Sequence, residues 1–365
     1  MKLSVVARGR DNNFNLIRFV AAFAVLISHS FPLTTGLPNS EPLRAAYGFT
    51  LGDVAVDVFF VTSGFLVTAS LYARKSTLSF VWARALRIFP ALWVMLAFAI
   101  FGIGLGLSSL GPRQYLAAHQ TWTFAAENAT LVRRIAYTLP GVFSSNPSNA
   151  VNGSLWSLRP EVDMYGVLVC FWIVCAVAKT KRVAALSWSI VSLAAISGII
   201  YLRQGNFENP DHEFPGLLFM FFTGASFYVF KEHIELRRSA FLALVAIDLL
   251  CLESRAALFI ALNLSLAYLV FYAGYGFAGP IRAFNRVGDY SYGIYIYAFL
   301  VQQSVIDLIP GISVPELIGI ASVVTLILAV LSWHLLEKKA LALKDDYTAA
   351  TIRVLRLHSQ VQRMT

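Results

Sequence analysis

Charge is what this chain has least of: 13% of its 365 residues are Asp, Glu, Lys or Arg, against roughly 25% in soluble domains. With 58% hydrophobic residues, that shortage excludes a soluble globular protein and predicts a chain that crosses a membrane repeatedly. Cysteine is nearly as scarce. Cys170, Cys175 and Cys251 all fall in apolar runs without a CxxC pair, so they read as small buried hydrophobes and offer no disulfide framework. The six histidines form no HxxxH or Cys/His set, so no metal is expected. No internal repeat, low-complexity tract or appended soluble domain is visible. The first apolar run is too long for a cleavable leader and lacks an A-x-A site, so it is expected to remain as an uncleaved first span.

Apolar windows of about 20 residues predict an all-α fold. It is a polytopic transmembrane bundle of about ten spans, at 14–34, 52–73, 85–107, 155–178, 183–202, 213–231, 238–252, 255–275, 288–309 and 314–336. The seventh is short and, with the eighth, reads as a tight hairpin or one broken element. The net charge of +9 reports topology, not nucleic-acid binding. Of the 29 Lys and Arg residues, 21 fall in segments on the side of the N-terminus and 6 on the other, with Arg18 and Arg159 inside spans. By the positive-inside rule both termini are expected in the cytoplasm. The layout is a membrane domain over 1–340, with a long extracytoplasmic loop at about 108–154, and a basic cytoplasmic tail over 341–365, amphipathic or disordered near anionic lipid.

Against this apolar background a few polar residues stand out. Arg18 and His29 lie in the first span, eleven residues apart, which places them on one helix face roughly 16 Å apart. Ionisable groups inside a membrane are costly and are functional candidates by default, unless they snorkel to its two edges. Arg84 and Arg87, at i,i+3 near the start of the third span, offer two guanidinium forks to a phosphate-rich ligand, or anchor the span. Pro90 is expected in the first turn of a helix that begins near Leu86. Asp53 and Asp57 share a face of the second span and need partners, Arg18 among them. Ser63-Gly64 permits close helix approach. Glu161 and Tyr165, at i,i+4, open the fourth span after Trp156. Glu161 suits a helix N-terminus, or it holds His29 or a sugar hydroxyl while Trp156 stacks on the sugar. His334 and Glu337 read as interfacial and structural.

Taken in order, Arg18-x10-His29, Asp57-Val-Phe-Phe-Val-Thr-Ser-Gly-Phe65, Arg84-x-x-Arg87 with Pro90, and Asn152-Gly-Ser-Leu-Trp-Ser-Leu before Glu161 form a recognisable series. Gly288-Asp-Tyr-Ser-Tyr-Gly-Ile-Tyr-Ile-Tyr297 and Ser332-Trp-His-Leu-Leu-Glu337 complete it. From about Asn12 to Lys339 the chain resembles the membrane acyltransferase-3 family, whose members O-acetylate bacterial surface and secreted carbohydrates. It departs at Ala298, where many relatives carry histidine, and it shows no esterase-like C-terminal domain.

The resemblance implies an O-acetyltransferase of the inner membrane that takes an acyl group from acyl-CoA, most often acetyl-CoA. The acceptor would be a carbohydrate or lipid-linked glycan such as exopolysaccharide or lipopolysaccharide. His29 would be general base, Arg18 would steady the donor, and Asp57 or Glu161 would orient the imidazole. Arg84, Arg87 and Ser63 would meet the acyl-CoA, and Trp156 and Tyr165 the acceptor. Transfer is expected to be direct, with an acyl-enzyme on Ser63 or Tyr165 as the variant. Membrane lipids are the surroundings, and a homo-oligomer is left open. The competing reading is a glycolipid or polysaccharide transporter or flippase; it suits buried charge but lacks the inverted repeat of such proteins.

Overall fold

The computed structural model describes residues 1–9, 11–73, 76–132, 134–177, 182–204 and 214–361. Arg10, Arg74, Lys75, Arg133, Lys179, Lys181 and Arg363 of the topology count, and His212, lie outside the described residues. Every predicted window holds a helix: α1 (Phe14–Thr35), α2 (Leu51–Ala73), α3 (Thr77–Ala97), α4 (Leu158–Val177), α5 (Arg182–Gln204), α6 (Phe214–Val229), α7 (Arg238–Leu250), α8 (Arg255–Gly276), α9 (Ser291–Leu308) and α10 (Val314–Ser332). Among the described residues there is no strand. Six segments are long and apolar enough to cross a membrane: Phe14–Thr35, Leu51–Ala73, Thr77–Leu107, Ala184–Arg203, Arg255–Gly276 and the run that begins at Val314. The other windows are shorter or more polar. α7, for example, has 13 residues, or about 20 Å of helix against a hydrocarbon core of about 30 Å. α7 and α8 form a tight hairpin through Cys251–Glu253, with Ser254 capping α8 and Ser265 donating to Asp248.

The third span differs from expectation. α3 begins at Thr77, not near Leu86, so Pro90 sits in mid-helix. There its missing N–H removes one ladder bond; the neighbouring Ile88 carbonyl accepts the hydroxyl of Tyr292 from α9. The helix then runs on through a wider, π-helical stretch, Phe98–Gly104, to Leu107.

Two glycines let α2 and α6 touch backbone to backbone. A Cβ on Gly64 would fall 1.9 Å from the Phe221 carbonyl oxygen, and one on Gly224 would fall 2.0 Å from that of Val61. Beside this crossing Phe65 packs with Phe14 of α1 and Phe271 of α8, forming the aromatic centre of the core.

Both terminal segments sit at one end of the bundle. The Met1 ammonium donates to Leu236 and the Leu3 amide to Ile234, just past the end of α6. Tyr228 there meets Tyr72 at the end of α2. A C-terminal helix, α11 (Lys344–Val361), lies against the start of α3, where Trp82 donates to Thr351 and stacks near Tyr347. The tail is thus helical from Lys344, and it is docked through its first two turns.

The long connection after Leu107 closes the opposite end. It carries two short helices, Pro112–Ala117 and His119–Thr130, then buries Leu139, Val142, Phe143 and Val151 in the bundle. Asn152 secures its end by donating to the Ile296 carbonyl of α9. A loop so fixed is a wall of the structure, and it sets the position of the Trp156 turn that leads into α4.

Candidate active site

Four charged side chains from four elements meet between α1, α3 and α9. Arg18 of α1 lies 3.3 Å from Asp289, which Arg87 of α3 approaches to 2.5 Å. Arg87 also pairs with Glu337 at 3.2 Å, and Glu337 accepts from Ser332. Glu337 is 1% exposed, far more buried than an interfacial residue, because the π-helical turn Trp333–Glu337 points its last side chain into the bundle while His334 and Leu335 stay outside. Two guanidiniums and two carboxylates cancel, which is what allows the group to persist in an apolar surrounding. The rings of Phe59 below Arg18, and of Tyr292 and Trp333 beside Arg87, complete the enclosure.

The arginine pair is thereby split between two tasks. Arg87 is committed to Asp289 and Glu337, whereas Arg84 lies over the ring of Tyr165 at 6.0 Å. Arg84 and Tyr165 line an apolar slot of about 230 Å³ between α3 and α4, walled by Phe80, Ile88, Val162 and Gly166.

Ser63, Glu161 and Tyr165 form one hydrogen-bonded cluster. Glu161 Oε1 accepts from the Ser63 hydroxyl at 2.8 Å and from Tyr165 at 2.5 Å, and the two hydroxyls are 3.2 Å apart. Glu161 faces a second, smaller cavity of about 40 Å³, lined also by Arg18, Ser157, Tyr292 and Tyr295. This has space for a few waters. The cluster therefore stands as a partition, with Tyr165 on the slot and Glu161 on the inner cavity.

His29 lies farther along α1, its ring edge-on to Phe299 of α9 at 5.4 Å. Its Nδ1 is buried without a hydrogen-bond partner among the described residues. The carboxylate that acts on it electrostatically is Asp53, one turn before Asp57. Asp53 is fixed by accepting from the Thr50 amide. The structure thus brings Ser63, Glu161 and Tyr165 together, sets Arg18 on the same cavity as Glu161, and leaves His29 beyond them. Asp57 is buried on α2, and Arg18 forms an ion pair with Asp289. Trp156, in the turn Gly153–Ser157, packs at the edge of the core.

The sequence alone does not single out Asp289, Tyr292 or Tyr295, and it reads Glu337 as interfacial. Asp289 had a signal, as the one acidic residue in the tyrosine-rich block. Replacing it by asparagine would leave Arg18 and Arg87 facing each other without their shared anion. Asp289→Asn is expected to cost on the order of 3–5 kcal/mol. Thermal unfolding of the purified protein in detergent checks this, and an unchanged midpoint would show that the network does not hold the bundle.

Comparison with known proteins adds the following. The acyltransferase-3 family model, described as an acyltransferase domain, matches residues 11–334. Nodulation protein 10 of Rhizobium leguminosarum bv. viciae is 30% identical, over 95% of this chain and 97% of its own length. An O-acetyl transferase of Shigella phage Sf6 is 28% identical, over 91% of this chain and 96% of its own. No solved structure matches.

Proposed function

The chain belongs to the acyltransferase-3 family, and on that premise we propose that it moves an acetyl group from acetyl-CoA to a hydroxyl of a cell-surface or secreted carbohydrate. The enzymatic class follows from the family and sets aside transport without acyl chemistry. The similarity to a phage O-acetyl transferase supports acetyl as the group and oxygen as its destination. In this reading the protein is a multi-pass protein of the inner membrane, with ten crossings and the end that holds both termini in the cytoplasm. The excess of Lys and Arg in the segments on that side supports this.

The observation that carries the proposal is the buried, unpartnered Nδ1 of His29. A ring nitrogen withdrawn from water without a partner is a standing cost, and an acceptor hydroxyl would relieve it. The imidazole takes the hydroxyl proton as the oxygen attacks the thioester carbonyl. The carbon–sulfur bond then breaks, and the departing sulfur takes the proton back from the imidazolium to leave as the free thiol of CoA. Asp53 stabilises the transient positive charge.

The donor reaches this point from the cytoplasmic end. Arg84, at the slot between α3 and α4, is suited to its phosphates, with Ser63 and Tyr165 along the path of its thioester arm. Arg18 is roughly 16 Å from His29 along the axis, at the inner cavity, and steadies that arm. Arg87 serves by holding Asp289, and through it Arg18. Glu161 fixes Tyr165 and Ser63, and Trp156 presents its ring to the acceptor.

The test is thioester consumption. Purified protein given acetyl-CoA and glycan from the cells that express it should release CoA thiol in step with glycan acetylation, read by mass spectrometry. Thiol release that does not require glycan, or none at all, would overturn the reading.

A further inference from the structure

A cleft at the end of the bundle opposite the termini has no part in the scheme above. It encloses about 270 Å³ between the C-terminal ends of α1 and α9, under the turn at Ser145–Pro147 and the Pro310–Ile312 corner. Pockets for small ligands start at about 300 Å³, so it holds one small unit and not a chain. Its polar lining is Thr34, Ser145, Asn146 and Asp307.

The rim is built, not loose. Gln303 of α9, 0% exposed, donates to the carbonyls of Ser148 and Ala150 at 2.7 and 2.6 Å. Asn146 donates to the backbone and side-chain oxygens of the same Gln303. Upstream, buried Phe143 holds φ 55°, a left-handed conformation unusual for a bulky residue and typical of ligand clamps. Gly36, at φ +72°, ends α1 and lets Pro147 come close, to 3.3 Å from the position of a Cβ.

Asp307 is the informative residue. Its hydrogen bond is a long one from exposed Ser145, 3.4 Å, and no cation pairs with it among the described residues. An ionised carboxylate has room for several donors. A metal ion is disfavoured, since no group of three or more ligating side chains exists among the described residues. No aromatic ring lines the cleft, so recognition there rests on hydrogen bonds from hydroxyls.

We propose that this cleft is an acceptor subsite that binds, through Asp307, the sugar unit adjacent to the one being acetylated; this rests on the reading of the protein as a carbohydrate O-acetyltransferase. Thr34 is five residues beyond His29 on α1, about 7.5 Å along the axis. Ile306 stands two turns past Phe299, the ring against His29. A sugar in the cleft is therefore next to, and not at, the base.

The experiment uses full-length protein in nanodiscs, with oligosaccharides released from the surface glycan and their constituent monosaccharides as acceptors. Asp307→Asn removes the charge, and Ser145→Trp fills the cleft from an exposed position without touching the core. Both should raise KM for the oligosaccharide about tenfold or more, the scale of one lost hydrogen bond to a charged group. The kcat, the KM for acetyl-CoA and the monosaccharide rates should stay at wild-type values. Unchanged oligosaccharide KM in both variants would overturn the subsite, as would equal losses with monosaccharides. Direct oligosaccharide binding by saturation-transfer NMR separates the two readings. Wild-type binding lost in Asp307→Asn, without any acetyl transfer, would retain the cleft and reject the acetyltransferase reading.

Discussion

Replacing His29 with alanine is expected to lower acetyl transfer by about 10²–10⁴-fold, the contribution of a positioned general base, while the protein still inserts and purifies as a single species. The separation of chemistry from folding is argued from position. His29 makes an edge-on contact with Phe299 and no hydrogen bond through Nδ1, so its removal breaks no polar network. The ion group of Arg18, Asp289, Arg87 and Glu337 is untouched, its member on the same helix, Arg18, lying about three turns away. Acetyl-CoA should still bind with wild-type affinity, because the donor contacts proposed here, Arg84, Tyr165, Ser63 and Arg18, do not include His29. Rates with purified glycan, alongside donor binding by calorimetry, measure both quantities. Transfer at wild-type rate would remove the base assignment and with it the geometric basis of the mechanism.

The second large effect concerns the fold. Gly64→Ala should abolish recovery of monodisperse protein. Overpacking a core with a methylene costs about 1–3 kcal/mol when side chains can shift, but here the obstacle is the Phe221 backbone carbonyl at 1.9 Å. Two helix backbones would have to separate, and the reciprocal contact of Gly224 with Val61 would open with them. Gly319→Ala is the control. A Cβ at Gly319 meets nothing within 4 Å, so alanine there should stabilise α10 by about 0.4–1 kcal/mol through the unfolded chain. Size-exclusion profiles and melting points of the two variants should diverge in opposite directions; if Gly64→Ala elutes as wild type does, the close crossing of α2 and α6 is wrong.

The positions of the helices were legible because apolar windows in a chain this poor in charge leave few alternatives. A polar residue in such a window has to be explained by something, which is why Arg18, His29, Glu161 and Tyr165 stand out in the sequence as candidates. Partnership was not legible. Nothing local to Arg87 points to Asp289 or Glu337, which are 202 and 250 residues away, and its neighbour Arg84 invited reading the two as one clamp. Pro90 misled for a related reason. Proline marks helix starts well in water, yet in a bundle a hydroxyl such as that of Tyr292 can serve carbonyls near the break. The charge of the tail does not tell of its docking, because its contacts to Trp82 depend on where α3 begins.

The arrangement of the ion group also dictates an order of biosynthesis. Arg18 and Arg87 leave the ribosome in the first quarter of the chain, but their counter-charges arrive with Asp289 and Glu337, near its end. Until then the nascent protein must shelter two unneutralised cations, at the lipid edge or in the insertion machinery, because bare charge is not tolerated in hydrocarbon. Chains cut short before residue 289 should accordingly be surveillance targets, degraded soon after release, and premature stop codons in the last quarter of the reading frame should be as damaging as those at its start.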